Sequence, residues 1–154
     1  MPTLSRLPAR ALFIGIGNEY RGDDAAGLIA ARLIRDSELD GVAVIENTGD
    51  GATLMEAWEG ASDVIVIDAA QSGAPPGTIH RFNANERSIP RAAFTSTHAF
   101  GLAEAVELSR ALGKLPEKMV IYGIESTALT AGAPLSPEVH RAVRDLVTAL
   151  SNAV

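Results

Sequence analysis

The chain has 154 residues, a formal net charge of −6 and no cysteine. This length predicts a single domain over residues 1–154, with a loose tail at 1–10, that buries enough surface to hold a core without cross-links. Because cysteine is absent, the chain offers no disulfide, no thiolate nucleophile and no iron–sulfur ligand. Acidic residues outnumber basic residues by 19 to 13, which disfavours binding to nucleic acid.

No segment has the composition of a signal peptide or a membrane span. The first apolar run, at 11–16, is followed at once by Gly17 and Asn18, so it is too short for a signal-peptide core. No run approaches the roughly 18 apolar residues of a membrane-spanning helix. We therefore expect a cytoplasmic protein without membrane contact. We also expect a monomer, since no apolar stripe is left over once the helices face the sheet.

Strand-like and helix-like segments alternate along the chain. Apolar runs predict buried strands at 11–16, 42–45, 64–67 and 119–122, and polar alternation predicts an edge strand at 78–82. Helical spacing predicts helices at about 24–35, 52–59, 97–112 and 136–150, the third with Phe100, Ala103, Val106 and Leu108 facing inward. The alternation predicts an α/β fold: a three-layer sandwich with a mostly parallel, twisted, five-stranded sheet and helices on both faces.

Polar residues follow several of the predicted strands, at the edge where open parallel sheets bind ligands. Asp24 follows the first strand, Asp68 ends the third, and His98 stands at the predicted start of the third helix. Two carboxylates and an imidazole suit a borderline divalent cation, and they equally suit a general acid–base site. The residues alone leave both open, and each residue singly has an ordinary structural role. His80, within a strand, and His140, within the last helix, are interpreted as non-functional.

Two other α/β classes fit less well. Gly15 and Gly17 resemble the start of a dinucleotide-binding fingerprint, but its third glycine would fall at Tyr20. In addition, two adjacent aspartates at the helix start would repel a pyrophosphate. A phosphorylated receiver domain needs a lysine just after its last parallel strand, whereas Lys118 precedes that strand.

Four segments of the chain resemble the nickel–iron hydrogenase maturation proteases. They are G-I-G-N at 15–18 with R-G-D-D-A-A-G at 21–27, V-I-V-I-D-A at 64–69, S-T-H-A-F-G-L at 96–102, and Y-G-I-E at 122–125 with L-S-P-E-V at 135–139. The segments occur in the family's order and spacing, and the resemblance covers about residues 11–150. It implies that the sandwich is of the phosphorylase/hydrolase-like kind.

The resemblance also implies an activity. Members of this family are endopeptidases that remove a C-terminal extension from the hydrogenase large-subunit precursor after nickel has been installed. The family's metal-binding positions carry over onto Asp24, Asp68 and His98. The two aspartates are also the candidate catalytic residues. The nickel would be carried by the precursor, which is the expected partner, and no permanent cofactor is expected. Either the ion or a carboxylate could drive hydrolysis.

One segment departs from the family pattern. Many members have D-G-G-T-x-G after the second strand, where this chain has E-N-T-G-D-G at 46–51. In the family this loop is tied to substrate choice, so the departure concerns which hydrogenase is processed. The candidate substrate-binding residues are Asn18, Asp50, Gly51 and Gly101, although an ordinary turn role fits Asp50 equally well. The alternative to a protease is a non-cleaving, nickel-sensing chaperone of the precursor that uses the same three residues.

Overall fold

A computed structural model describes residues 11–18, 20–94, 98–127, 129 and 131–153. Within them the strands are β1 Ala11–Ile16, β2 Val42–Asn47, β3 Asp63–Ala70, β4 Ile79–Asn83 and β5 Lys118–Glu125. The helices are α1 Ala26–Asp36, α2 Gly51–Trp58, α3 Leu102–Ala111 and α4 Pro137–Ala153. The tail expected at 1–10 lies outside the described residues. None of the described helices is both long enough and apolar enough to cross a membrane.

The five strands form one sheet in the order β2-β1-β3-β5-β4. β4 pairs antiparallel with β5 at the edge, and the other pairs are parallel, which confirms the predicted mostly parallel sheet. β2 lies on one side of β1 and β3 on the other, so the winding direction changes between β1 and β3. Such a change opens a crevice at the carboxyl ends of the strands, where α/β proteins bind ligands.

Alternate side chains of the strands enter two separate cores. Ile14, Val66 and Met119 cluster with the buried side chains of α2 and α3, whereas Phe13 and Ile124 cluster with those of α1 and α4. Because side chains alternate across a strand and both faces are covered, the central strands are apolar at nearly every position. The predicted three-layer sandwich is confirmed.

The predicted start of the third helix is wrong. α3 begins at Leu102, not near residue 97, because the side chain of Glu104 accepts a hydrogen bond from the backbone N–H of Gly101 (2.8 Å) and so caps the helix there. Of the four side chains expected to face inward, Ala103 and Val106 are buried. Phe100 and Leu108 are at least 37% exposed.

Other boundaries shift by a few residues. A 3₁₀ turn at Gly22–Ala25 precedes α1, where the sequence predicted a continuous helix. β3 runs on to Ala70, so Asp68 lies within the strand and pairs with Gly123 of β5. The backbone of Asp68 is therefore fixed by its pairing with β5.

The first turn of α1 packs directly on the ends of β1 and β3. A Cβ atom on Gly27 would collide with the carbonyl oxygens of Ile16 and Ile67, and one on Gly15 would collide with the carbonyl oxygen of Gly27. Only residues without a side chain allow this approach. It places the 3₁₀ turn, and with it Asp24, over the crevice between the two strands.

The close approach predicts the effect of Gly27→Ala. In an unobstructed helix this change stabilises a protein by about 1 kcal/mol. Here the added methyl group meets two backbone carbonyls that are fixed in the sheet, so we expect the free energy of unfolding to fall by about 1–3 kcal/mol. Urea denaturation measures the difference, and a gain in stability would contradict the packing described.

Candidate active site

Asp24 is fixed by a loop that closes on itself after β1. The N–H of Asn18 donates to the carbonyl of Asp24 (3.1 Å), the N–H of Arg21 donates to that of Asn18 (3.2 Å), and the N–H of Asp24 donates to that of Arg21 (3.0 Å). Gly17 allows the loop to close, because a Cβ atom there would collide with the carbonyl of Asp24. The Asp24 side chain is 9% exposed and lines a cavity at the crevice.

The neighbouring Asp23 has a different role. It is fully buried and accepts hydrogen bonds from the N–H of Thr127 (2.9 Å), the N–H of Ser136 (2.7 Å) and the hydroxyl of Ser136 (3.0 Å). Asp23 thus ties the loop after β5 and the start of α4 to the turn before α1. Asp24 is the member of the pair that faces the cavity.

Asp68 is a buried carboxyl group with an unused oxygen. Its side chain is 2% exposed, and Oδ1 accepts the N–H of Ala69 (2.8 Å). Oδ2 is buried without a hydrogen-bond partner in the described part of the chain. Burial raises the pKa of Asp68 well above its usual value, the Ala69 N–H opposes this, and the charge of Asp24 raises the pKa further. Such a group is suited to hold a proton or to receive a cation.

One cavity of about 670 Å³ brings the three predicted site residues together: Asp24, Asp68 and His98 all line it. His98 stands four residues before α3, not at the start of the helix as predicted. Among the residues that the structure describes, no three carboxylate or imidazole side chains are grouped closely enough to hold a metal ion. The three-ligand metal centre therefore stays a prediction.

Gly51 contacts the segment that carries His98 and the second glycine, Gly101. The N–H of Gly51 donates to the carbonyl of Phe100 (2.8 Å), and a Cβ atom on Gly51 would collide with the Phe100 ring. Gly101 lines a small recess beside His98. Neither glycine lines the large cavity, and their assignment as substrate-binding residues stays a prediction.

The other two candidate substrate-binding residues lie at the ends of β1 and β2. Asn18 lines the cavity, and its side-chain oxygen accepts the N–H of Tyr20 (3.0 Å). Asp50 caps α2 by accepting the N–H of Thr53 (3.2 Å), which is the ordinary role that the sequence also allowed. Binding of substrate by either residue stays a prediction.

An ion pair forms the far wall of the cavity. Arg32 bonds Glu46 through two nitrogens (2.8 and 3.2 Å), and Arg35 adds a third bond (3.1 Å). The hydrogen bond from Arg32 lowers the pKa of Glu46, and Arg35 lowers it further, against a smaller opposing effect of burial. The cavity thus runs from the carboxylates of the crevice to a wall at the end of β2 where two guanidinium groups hold one carboxylate.

Sequence reasoning did not select a further buried acid, Glu125, which is 2% exposed. Its carboxylate accepts the N–H (2.8 Å) and hydroxyl (2.7 Å) of Ser72, the N–H of Gly73 (3.3 Å) and a bond with Nε2 of His80 (2.9 Å). The same nitrogen of His80 faces the Ser72 hydroxyl (3.3 Å), so the group is not a serine–histidine–acid triad, in which the two imidazole nitrogens are used separately. Its sequence signals are that it is a charged residue closing an apolar strand and that it ends the Y-G-I-E segment at 122–125.

Comparison with known proteins identifies the family. The family model described as hydrogenase maturation protease matches residues 28–153. The chain belongs to the hydrogenase maturation protease family, a family of endopeptidases.

Curated relatives cover most of the chain. The hydrogenase expression/formation protein HupD of Bradyrhizobium diazoefficiens is 32% identical over 91% of this chain and 74% of its own length. HupD of Thiocapsa roseopersicina is 28% identical over 86% of this chain, which spans only 62% of that relative. The hydrogenase 2 maturation protease of Escherichia coli is 28% identical over 85% of this chain and 82% of its own length.

Solved structures show the same fold. The [NiFe] hydrogenase maturation protease HybD from Thermococcus kodakarensis has a TM-score of 0.73 at 28% identity and covers 94% of this chain and 98% of its own. The hydrogenase maturating endopeptidase HybD from E. coli has a TM-score of 0.76 at 23% identity over 94% and 93% of the two chains.

The hydrogen bonds of Glu125 predict a pH-dependent contribution to stability. Burial alone would raise the pKa of Glu125, but the donors of Ser72, His80 and Gly73 outweigh it and lower the pKa. A lowered pKa adds stability above the ordinary glutamate pKa of about 4.3, and this stability is lost as the pH falls through the lowered value. Glu125→Gln should therefore cost about 2 kcal/mol at pH 7, with a gap to the parent protein that narrows in acid.

Denaturant unfolding between pH 3 and pH 7 measures this gap. Glu56→Gln is the matched control, since Glu56 is exposed on α2. A gap of the same size at every pH would show that the charge of Glu125 is not what its donors stabilise.

The unused oxygen of Asp68 predicts that Asp68→Asn stabilises the protein. The amide keeps the shape and the bond to Ala69, removes the buried charge, and puts an N–H₂ group in place of the unpartnered oxygen. Since a buried unpaired polar group costs about 1–3 kcal/mol, we expect a gain of about 1 kcal/mol, or about 2–4 °C in Tm. Calorimetry at neutral pH measures it, and a lower Tm would mean that the carboxylate is already compensated.

Proposed function

We propose that this chain removes the C-terminal extension from the nickel-loaded precursor of a nickel–iron hydrogenase large subunit. It would recognise the precursor's nickel through Asp24, Asp68 and His98. The observation that carries the proposal is the buried, unpartnered oxygen of Asp68 in a cavity that Asp24 and His98 also line. Membership of the maturation protease family supports the substrate class.

The electrostatics of the crevice favour a cation. Asp68 is penalised both by burial and by the charge of Asp24, and a divalent ion relieves both penalties at once. A precursor that carries nickel would supply this ion, and a precursor without nickel would leave the two carboxyl groups opposed. Binding energy would thus depend on whether the metal has been installed.

The donor atoms favour inspection of the metal over its removal. The chain has no cysteine, so it offers only carboxylate oxygens and an imidazole nitrogen. Soft thiolate ligands hold such metals more strongly than these harder donors. Nickel held by thiolates of the precursor would therefore be contacted in the cavity and would leave with the precursor.

The same residues supply the chemistry of hydrolysis. The nickel of the docked precursor would polarise the scissile carbonyl, while Asp24, the more exposed of the two carboxylates, would accept a proton from water. The water oxygen bonds to the carbonyl carbon, the C–N bond breaks, and the proton held by Asp24 passes to the amine of the released extension.

The test is cleavage of purified precursor, followed by mass spectrometry, with and without nickel loaded. We expect cleavage of the loaded form only. Asp24→Asn and His98→Ala should slow it by about 100-fold or more, the usual contribution of a positioned acid or base. Asp145→Asn and His140→Ala are matched controls, because both residues are exposed on α4, and they should leave the rate unchanged.

Two results would overturn the proposal. Equal cleavage of loaded and nickel-free precursor would remove the metal from recognition, and full activity of His98→Ala would remove His98 from the site. Stoichiometric binding of loaded precursor without any cleavage would instead favour the nickel-sensing chaperone.

A further inference from the structure

Tyr20 and Arg21 stand together at the cavity, and the chemistry described above uses neither. The Tyr20 side chain is 73% exposed, the largest exposure among the large apolar side chains in the described part of the chain. Arg21 is half-buried. Both side chains line the same cavity as Asp24 and Asp68. An aromatic ring and a guanidinium group are thus presented side by side, next to the proposed reacting groups.

The backbone of this pair is held by hydrogen bonds. The N–H of Tyr20 donates to the side chain of Asn18 (3.0 Å), and its carbonyl accepts the N–H of Gly132 (2.8 Å). The N–H of Arg21 donates to the carbonyl of Asn18 (3.2 Å), and its carbonyl accepts the N–H of Asp24 (3.0 Å). All four backbone groups are therefore satisfied. With the backbone held, binding needs to order only the two side chains, which lowers the entropy cost of the contact.

The charges of the cavity single out Arg21. The other arginine of the lining, Arg32, is bound to Glu46 through two nitrogens. Arg21 forms no ion pair or side-chain hydrogen bond with any residue that the structure describes. A guanidinium fork pairs with a carboxylate in two parallel hydrogen bonds. The carboxyl groups of Asp24 and Asp68 would repel an acidic segment of a substrate, and Arg21 offsets that repulsion locally.

We propose, on the basis of the function given above, that Tyr20 and Arg21 are specificity-determining residues that bind the precursor beside the scissile bond. Arg21 pairs with an acidic side chain of the precursor. The Tyr20 ring packs on the aliphatic part of the same segment. Together they hold the extension in the cavity, so they act on binding of the precursor and not on bond cleavage.

Steady-state cleavage of nickel-loaded precursor tests the pair. We expect Tyr20→Ala and Arg21→Ala each to raise KM by about tenfold, the effect of truncating an affinity-determining contact, with kcat changed less than about twofold. Tyr20→Phe should retain most of the affinity. Leu112→Ala is the control, because Leu112 is 55% exposed but follows α3, at the opposite edge of the sheet, and its KM should equal that of the parent protein.

A second experiment tests whether Arg21 binds an acidic side chain of the precursor. In a precursor whose acidic residues near the scissile bond are replaced by their amides, the parent protein should lose about tenfold in affinity. Arg21→Ala should lose nothing further, since the two changes remove one interaction. Direct titration of precursor onto the protein gives the same comparison when no cleavage occurs. Failure of the proposed function would therefore be seen separately from failure of this inference.

Three outcomes would overturn the inference. Independent, additive losses for the two partners would show that Arg21 does not pair with the carboxylate. A fall in kcat at unchanged KM for Arg21→Ala would place this residue in the chemical step. Equal KM values for Tyr20→Ala and Leu112→Ala would show that the ring of Tyr20 does not touch the precursor. Equal Tm values for all variants would exclude unfolding as the cause of any loss.

Discussion

The close contact between the first turn of α1 and the ends of β1 and β3 is the constraint on which the site depends. It requires glycine at 15 and 27, because a side chain at either position would collide with backbone or packed side chains. The contact brings the turn that carries Asp24 over β3, so the charge of Asp24 acts on Asp68. The two glycines therefore allow the close approach of α1 to the strands. This approach brings the carboxyl group of Asp24 close enough to affect the pKa of Asp68.

The two adjacent aspartates in that turn have different surroundings. The carboxylate of Asp23 accepts hydrogen bonds from Thr127 and Ser136. These bonds stabilise the turn on its buried side. Asp24 keeps its carboxylate at the cavity. The loop bonds between Asn18, Arg21 and Asp24 complete the arrangement, since they fix the turn on its open side. A turn held on both sides can keep the Asp24 carboxylate near the like charge of Asp68 without rearranging to separate them.

The sequence predicted the sheet, and it selected three residues that line one cavity, for physical reasons. Strands covered on both faces are continuously apolar, and the carboxyl edge of such a sheet is where ligands bind, so Asp24, Asp68 and His98 could be selected. The start of α3 was missed because a local cap by Glu104 decides it. The donors to Glu125 lie 45 to 53 residues away along the chain, and no local pattern shows such contacts. Tyr20, as an exposed residue, has no periodicity to mark it.

Two buried carboxyl groups near the carboxyl ends of β3 and β5 differ in how many hydrogen bonds they accept. Glu125 and Asp68 are each 2% exposed, so desolvation acts on both. Four donor groups surround Glu125 and lower its pKa, whereas a single N–H bonds Asp68 and its pKa rises. The fold thus supplies hydrogen-bond donors to Glu125, which holds the loop that follows β3. The acid at the cavity is left with an open oxygen, and its cost is removed only by a proton or by a cation brought from outside. Under the proposed function, such a site would have little affinity for a precursor that brings no ion, and selectivity for the loaded form would follow from the cost of the buried carboxyl group.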